Sequence, residues 1–173
     1  PMAGLSGHFA MLGIVEKGYA NVKFTARSKG GHASAPPKNS PLVRLAKFMC
    51  HVEKHSPFKK EISTPVRQMF AALAPYMAFP FRLLLGNLWL FGPLLKVALP
   101  ALSPKAGAML HTTCAFTMAQ GSAAGNVIPE SASVVANLRF IMHQNMEQSI
   151  AAIKAVADKY DLETELLYGN DCP

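Results

Sequence analysis

The chain has 173 residues, half of them hydrophobic and 16% charged, which is enough for one domain with a real core but short for two. This composition excludes a disordered segment. The net charge of +7 is uneven, because residues 1–66 carry ten Lys or Arg against three Glu, while residues 140–173 carry six acids against two Lys. A basic part can attract nucleic acid, an anionic membrane or an acidic substrate, and diffuse lysines without an aromatic stacking platform argue against nucleic acid.

The cysteines and the chain ends give little information about function or localisation. Cys50, Cys114 and Cys172 are odd in number and far apart, so we predict ordinary thiols rather than a disulfide framework or a metal cluster. The first residues lack the charged and apolar regions of a signal peptide. Both ends look cut from a longer polypeptide, so we make no prediction of localisation.

The N-terminal half predicts a strand, a loop and a helix. Residues Tyr19 to Ala26 alternate between polar and apolar side chains, which is typical of a half-buried strand. Ser40-Pro41 is a strong helix start, and the helix is expected to run to about His55. Its predicted buried face is Leu42, Leu45, Ala46, Met49 and Val52. Between strand and helix, Ser28–Pro37 holds His32 between two glycines and two prolines, which specify the backbone.

Residues 57–108 form a long apolar insertion rich in proline. Thr64-Pro65 can begin a short helix over 66–73. The longest uncharged runs, 68–81 and 83–95, are shorter than the roughly 20 residues that a spanning helix needs. We predict a pair of short helices packed on the domain, with an exposed apolar flap against lipid or a fatty substrate as the alternative.

The C-terminal half completes the predicted fold. Residues 110–119 and 132–142 are predicted strands, 147–160 an amphipathic helix carrying Ile150, Ile153, Ala157 and Tyr160, and 162–168 a final strand. Without the insertion, the order is strand, helix, two strands, helix, strand. This order predicts the α+β class and a ferredoxin-like split βαβ sandwich, whose antiparallel sheet carries both helices on one face. The whole of 1–173 is expected to be a single domain.

The chain offers no complete active site. His51 and His55 lie one helical turn apart, but spacing suggests no third ligand, and the polar side of a surface helix explains both. Three other polar residues stand out: His32 in its loop, Asn126 in the loop 120–129, and Arg139. By strand alternation, Arg139 shares the face of Asn137 and Ser133, away from the predicted core. An arginine and an amide suit a carboxylate, although a solvated arginine and a turn asparagine explain the same pattern.

Three motifs resemble those of the lid, or dimerisation, domain of metallopeptidase family 20, and the likeness covers nearly the whole chain. They are Gly30-Gly31-His32-Ala33-Ser34-Ala35-Pro36-Pro37, Asn126-Val127-Ile128-Pro129 and Asn137-Leu138-Arg139-Phe140. That family includes aminoacylases, carboxypeptidases and related amidohydrolases with two zinc ions. The insertion, with Asn87-Leu88-Trp89-Leu90-Phe91, is similar to the carboxypeptidase S branch, which includes the N-fatty-acyl amino acid synthase/hydrolases.

The resemblance implies a domain inserted into a dizinc catalytic domain that this chain lacks, inactive alone and forming a homodimer by helix and edge strand. The substrate would be a peptide or an N-acyl amino acid. It implies that His32 reaches the partner's active site and hydrogen-bonds the oxyanion of the tetrahedral intermediate, and that Asn126 and Arg139 help to hold the substrate's carboxylate. The zinc ligands and catalytic glutamate of the family have no counterpart here.

Two alternatives remain open. The same fold can serve as a non-enzymatic protein-binding module, and the apolar tract from Met69 to Leu102 can serve as a membrane-surface module. On the main interpretation, His32, Asn126 and Arg139 lie on elements that a split βαβ fold can bring to one region.

Overall fold

A four-stranded antiparallel sheet is the frame of the protein in the computed structural model, which describes residue 13 and residues 16–172. The N-terminal segment in which we looked for a signal peptide lies outside the described residues. The strands are β1 (Tyr19–Arg27), β2 (Gly31–His32), β3 (Thr113–Gln120), β4 (Val127–Ile128), β5 (Ser131–Arg139) and β6 (Glu163–Asn170). The strand order of the sheet, β3-β5-β1-β6, confirms the predicted α+β, split βαβ plan.

Two helices cover one face of this sheet, α1 (Pro41–Lys54) and α6 (Met146–Ala157). Alternation places Ala20, Val22 and Phe24 of β1 beneath them, and all three are fully buried. The rings of Phe24 and Phe48 lie 4.7 Å apart between sheet and helix. Burial of such side chains is the main stabilising contribution to the domain, at about 1.5–3 kcal/mol each.

The buried face of α1 differs from the prediction. The helix buries Pro41, Leu45, Phe48 and Val52, whereas Leu42 is 48% exposed. Ala46 is also exposed. The prediction was therefore wrong for Leu42 and Ala46, because it passed over Phe48, whose ring anchors the helix. For α6 the predicted Ile153 and Ala157 are buried.

The ends of several strands and helices differ by a few residues from the prediction, each for a local reason. The predicted strand 132–142 stops at Arg139, and Met142 lies exposed beyond it. The predicted strand 110–119 begins only at Thr113, because Leu110 belongs to the core of the insertion. The α6 helix ends at Ala157 and continues as a 3-10 turn, closed by Asp161 in the left-handed region at φ 53°.

The insertion forms four helices, where the sequence predicted a short helix over 66–73, which is confirmed, and a further pair beyond it. These are α2 (Thr64–Leu73), α3 (Phe79–Gly86), α4 (Leu88–Leu102) and α5 (Pro104–Ala108). They pack mainly on one another around a small core of their own, formed by Ile62, Leu95 and Leu110. Within the described residues, no single helix is long and apolar enough to cross a membrane, while Phe79–Gly86 and Leu88–Ala101 meet the criteria of length and composition together across a 108° bend.

Candidate functional site

The loops that carry His32 and Asn126 are joined into a two-stranded ribbon. Strand β2 pairs with β4 in antiparallel fashion, so that Gly31 lies opposite Ile128 and His32 opposite Val127. The amide of Ala33 donates to the carbonyl of Asn126 over 3.0 Å at one end of the ribbon. The structure thus brings two of the three candidate residues together.

Backbone geometry at the glycines specifies the shape of the ribbon. Gly30 and Gly31 have φ of 65° and 152°, a region that L residues with side chains rarely adopt. The Ser28 hydroxyl accepts from the Gly30 amide over 2.9 Å and donates to the Pro129 carbonyl over 3.0 Å. One side chain therefore links both loops and holds the turn before His32.

The His32 ring is exposed and its tautomer follows from its neighbours. The backbone N–H of Ser34 donates to Nδ1 over 3.2 Å, and the Ser34 hydroxyl lies 2.8 Å from the same nitrogen. A backbone amide can only donate, so Nδ1 is the acceptor, and we assign the proton of the neutral ring to Nε2. Among the described residues nothing is hydrogen-bonded to Nε2. The ring therefore presents an N–H donor to solvent.

Asn126 lies in a turn at the tip of the second loop. The amide of Val127 donates to the carbonyl of Ala124 over 3.3 Å, and the Ser122 hydroxyl accepts from the Ala124 amide over 3.2 Å. The Asn126 residue is exposed next to the His32 strand. Its side-chain amide can donate to or accept from a bound polar group.

Arg139 lies at the opposite end of β5 from this ribbon. In the β1–β5 pair, Ser131 faces Arg27 next to the loops, whereas Arg139 faces Tyr19 at the far end. The eight residue steps from Ser131 to Arg139 span about 27 Å at the usual strand rise. The expectation that one chain gathers all three residues in one region is therefore wrong for Arg139.

A polar network on the free face of the sheet holds the Arg139 side chain. Its Nε donates to Asn137 Oδ1 over 3.0 Å, and its guanidinium carbon lies 5.4 Å from the centre of the Tyr19 ring. The Asn137 amide donates to Asn21 Oδ1 over 2.6 Å, and the Asn21 amide donates to the Tyr168 hydroxyl over 2.8 Å. This leaves the terminal Nη1 and Nη2 atoms for a planar, bidentate acceptor such as a carboxylate.

Sequence reasoning placed Asn137 on the face of Arg139 but missed Asn21, Tyr19 and Tyr168. The signal was available, since antiparallel neighbours at matching register share a face. Tyr19 lies opposite Arg139, and Asn21 lies opposite both Asn137 and Tyr168.

A basic cleft adjoins the His32 loop. This open cleft, of about 820 Å³, lies between the loop, the start of α1 and the turn after α6. Its six cationic side chains are Arg27, Lys29, Lys38, Arg44, Lys47 and Lys159. Two of them are paired, Arg27 with Glu163 at 2.7 Å and Arg44 with Asp161. The hydrogen bond that Arg27 donates to the Glu163 carboxylate, together with the charge of that carboxylate, raises the pKa of Arg27 above its ordinary value. The remaining charges make the approach to the ribbon attractive to anions.

The residues that the structure describes do not form a catalytic metal site. The rings of His51 and His55 lie 5.4 Å apart edge to face, and His51 Nδ1 is hydrogen-bonded to the Tyr160 hydroxyl over 2.9 Å. Over the part of the chain that the structure describes, no three His, Cys, Asp or Glu are grouped as metal ligands. Burial raises the pKa of Cys114 to about 12, with Glu53 adding to the effect, so this thiol is not a nucleophile at neutral pH.

Comparison with known proteins identifies the family. A family model described as the peptidase dimerisation domain of the M20 peptidases matches residues 14–165. The chain therefore belongs to the M20 dimerisation domain family, as the three motifs indicated.

Relatives of known name point to one branch. The chain is 30% identical over 168 residues to the N-fatty-acyl-amino acid synthase/hydrolase PM20D1.1 of Danio rerio, covering 97% of this chain and 32% of the relative. It is 34% identical over 138 residues to the probable carboxypeptidase S-like 2 of Dictyostelium discoideum, covering 80% and 26%. The chain thus spans about a third of the length of these relatives.

Solved structures confirm the fold. AtUAH in complex with glyoxylate superposes with a TM-score of 0.51 at 14% identity, over 92% of this chain and 29% of that one. A hydantoinase/carbamoylase family amidase from Burkholderia ambifaria gives 0.50 at 10% identity, over 91% and 29%.

Proposed function

We propose that the chain is the lid and dimerisation domain of a dizinc peptidase or amidohydrolase acting on peptides or N-acyl amino acids. The family match and the relatives named as N-fatty-acyl-amino acid synthase/hydrolase and carboxypeptidase S-like support this. The zinc ions would be bound by a catalytic domain outside this chain, so the domain alone is expected to be inactive. Its own contribution is to donate hydrogen bonds and to shape the site.

The observation that carries the proposal is the separation of His32 and Asn126 from Arg139. In a single chain the ribbon adjoins the Ser131 end of β5, whereas Arg139 lies at the other end of that strand, about 27 Å further along, too far to share one small substrate. In a two-fold dimer, the ribbon of one protomer can approach the Arg139 end of its partner. Two equivalent sites, each built from both chains, then follow from the symmetry.

The surface suited to this dimer is the exposed edge strand β3 with the neighbouring part of α1. Leu42 and Val43 on α1 are 48% and 43% exposed, and Met118 on β3 is 59% exposed. Strand β3 pairs with β5 on one side, and its other edge is open among the described residues. Pairing β3 with its symmetry mate would extend the sheet across the interface and satisfy the open edge.

Each site residue then has a chemical role. The Nε2–H of His32 donates to the oxyanion that develops when the scissile carbonyl is attacked, and its neutral tautomer is fixed by Ser34. Arg139 offers its terminal nitrogens to the substrate carboxylate, and Asn126 adds a hydrogen bond on the His32 side. The cations of the cleft draw an anionic substrate towards the ribbon.

The experiment is subunit complementation in an active, longer enzyme that contains this domain. His32→Ala is expected to lower kcat by about 10²–10³, because an oxyanion donor is lost. Arg139→Ala is expected to raise KM, because the contact with the substrate carboxylate is lost. Mixed in equal amounts and allowed to exchange, the two variants should regain about a quarter of wild-type activity, because half of the dimers are mixed and each has one intact site of two. No recovery, with exchange shown by mass spectrometry, would mean that each site takes both residues from one chain, and would refute the shared-site geometry.

A further inference from the structure

Helix α4 is apolar on its outer face as well as on its packed face. Leu95 and Gly92 are buried against the rest of the insertion. The opposite side exposes Trp89, Leu90, Pro93, Leu94 and Val97, spaced at one helical turn. A water-facing helix normally carries polar residues on its outer side, and one that is hydrophobic all round is covered by another apolar phase.

Helix α3, which directly precedes α4 in the chain, also exposes apolar side chains. Phe79 is 68% exposed, and Phe81 and Leu83 are also exposed. These exposed apolar residues of α3 and the outer residues of α4, among them Trp89 at 79% and Val97 at 69%, are hereafter the hairpin patch. Large exposed apolar surfaces mark binding sites for proteins or membranes.

The charges around the hairpin patch are mostly positive, although Glu61 lines a small pocket together with Trp89 and Lys96. From residue 62 to residue 129 the sequence contains no Asp or Glu and four basic residues, Arg67, Arg82, Lys96 and Lys105. Among the described residues none of the four forms an ion pair. Apolar side chains flanked by unpaired cations complement a bilayer whose headgroups are anionic.

The dimensions favour a helix pair that lies on a membrane. The 15 residues of α4 give about 22 Å of helix, less than the roughly 30 Å of a hydrocarbon core. The 108° bend after α3 prevents the two helices from forming one straight rod. Trp89, the single tryptophan of the chain, lies near the start of α4, where an indole can occupy the headgroup level.

We propose that the hairpin patch binds to the surface of bilayers containing anionic lipid, with the outer residues of α3 and α4 inserted among the acyl chains and Arg67, Arg82, Lys96 and Lys105 at the headgroups. The site is separate from the His32 ribbon, and the proposal is independent of the catalytic one. Its function is to hold the domain at a lipid surface.

Vesicle binding by this chain tests the proposal, with Trp89 as the built-in probe. The vesicles contain phosphatidylcholine alone or with about 30% phosphatidylserine, so that only the surface charge differs. A blue shift of tryptophan emission and co-sedimentation with the anionic vesicles, much weaker with phosphatidylcholine, are expected. Leu94→Ser/Val97→Ser should lower the partition coefficient by at least about tenfold. Arg82→Glu should lower it roughly 10- to 30-fold.

The matched control is Met142→Ser, an equally exposed apolar residue (51%) outside the insertion, which should bind like wild type. Circular dichroism of each variant establishes that it is folded. The proposal would be overturned if the chain did not bind vesicles, or if its binding were the same with and without phosphatidylserine and unchanged by Arg82→Glu. It would also be overturned by an emission shift without vesicles that depends on protein concentration, indicating a second copy, or by a shift with monomeric N-dodecanoylglycine and none with vesicles, indicating a fatty ligand.

Discussion

Replacing Gly31 with alanine tests whether the backbone conformation next to His32 requires a glycine. Gly31 has φ of 152°, and a Cβ added there meets no heavy atom within 4 Å. Steric neighbours therefore contribute nothing, and the entire effect comes from the backbone conformation. Such a conformation destabilises the folded state of a residue with a side chain by about 1–3 kcal/mol. Alanine also has less conformational freedom than glycine in the unfolded chain, which offsets about 0.4–1 kcal/mol of this loss.

The net expectation is a loss of about 1–2 kcal/mol in the free energy of unfolding. For a domain of this size that corresponds to a fall in Tm of about 2–8 °C. Urea unfolding followed by circular dichroism measures the first quantity, provided that the transition is two-state, and a thermal scan measures the second.

The matched control is Gly86→Ala, the same chemical change at a second glycine with no heavy atom within 4 Å of the added Cβ. Gly86 ends helix α3 and has no left-handed φ, so alanine should leave stability unchanged or raise it by up to about 1 kcal/mol. If Gly31→Ala is as stable as wild type while Gly86→Ala behaves as expected, the assigned strain at Gly31 is refuted.

Further outcomes concern thiol reactivity and helix capping. At pH 8, a pKa of about 12 leaves about 10⁻⁴ of Cys114 as thiolate, so iodoacetamide should alkylate the exposed Cys50 and leave Cys114 unmodified in the folded chain, as peptide mass spectrometry can show. Equal labelling of both would contradict the burial of Cys114. Asn145→Ala should cost about 1 kcal/mol in urea unfolding, because the Asn145 side chain accepts from the Gln148 amide over 2.9 Å. Ser40→Ala should cost much less, since Ser40 makes no side-chain cap bond, and equal losses would argue against this distinction.

The sheet and its helices could be predicted because their signals are long and repeated. The alternation from Tyr19 to Ala26 matches β1 at Tyr19–Arg27, and Ser40-Pro41 marks the start of α1. The order of strands and helices along the chain then permits only a few sheet topologies, and the split βαβ plan is one of them. Errors at the ends of elements arose where tertiary packing decides, as at Leu110, which the insertion buries.

The site was predicted less completely, for two physical reasons. A two-residue strand such as β2 has no periodicity, so its pairing with β4, which joins His32 to Asn126, is visible only in the structure. Alternation gives the face on which Arg139 lies but not its distance from a loop. That distance follows from the antiparallel register, which places Arg139 opposite Tyr19.

The two ends of the insertion meet, and this has a consequence for how the domain can vary. The amide of Glu61 donates to the carbonyl of Leu110 over 2.8 Å, so the four helices leave and rejoin the domain at one point. They also have a hydrophobic core separate from that beneath the sheet. The insertion is therefore modular. Its length and outer surface can change between proteins of this fold, by exchange or shortening of the segment, while the strand register that places His32 and Arg139 stays the same.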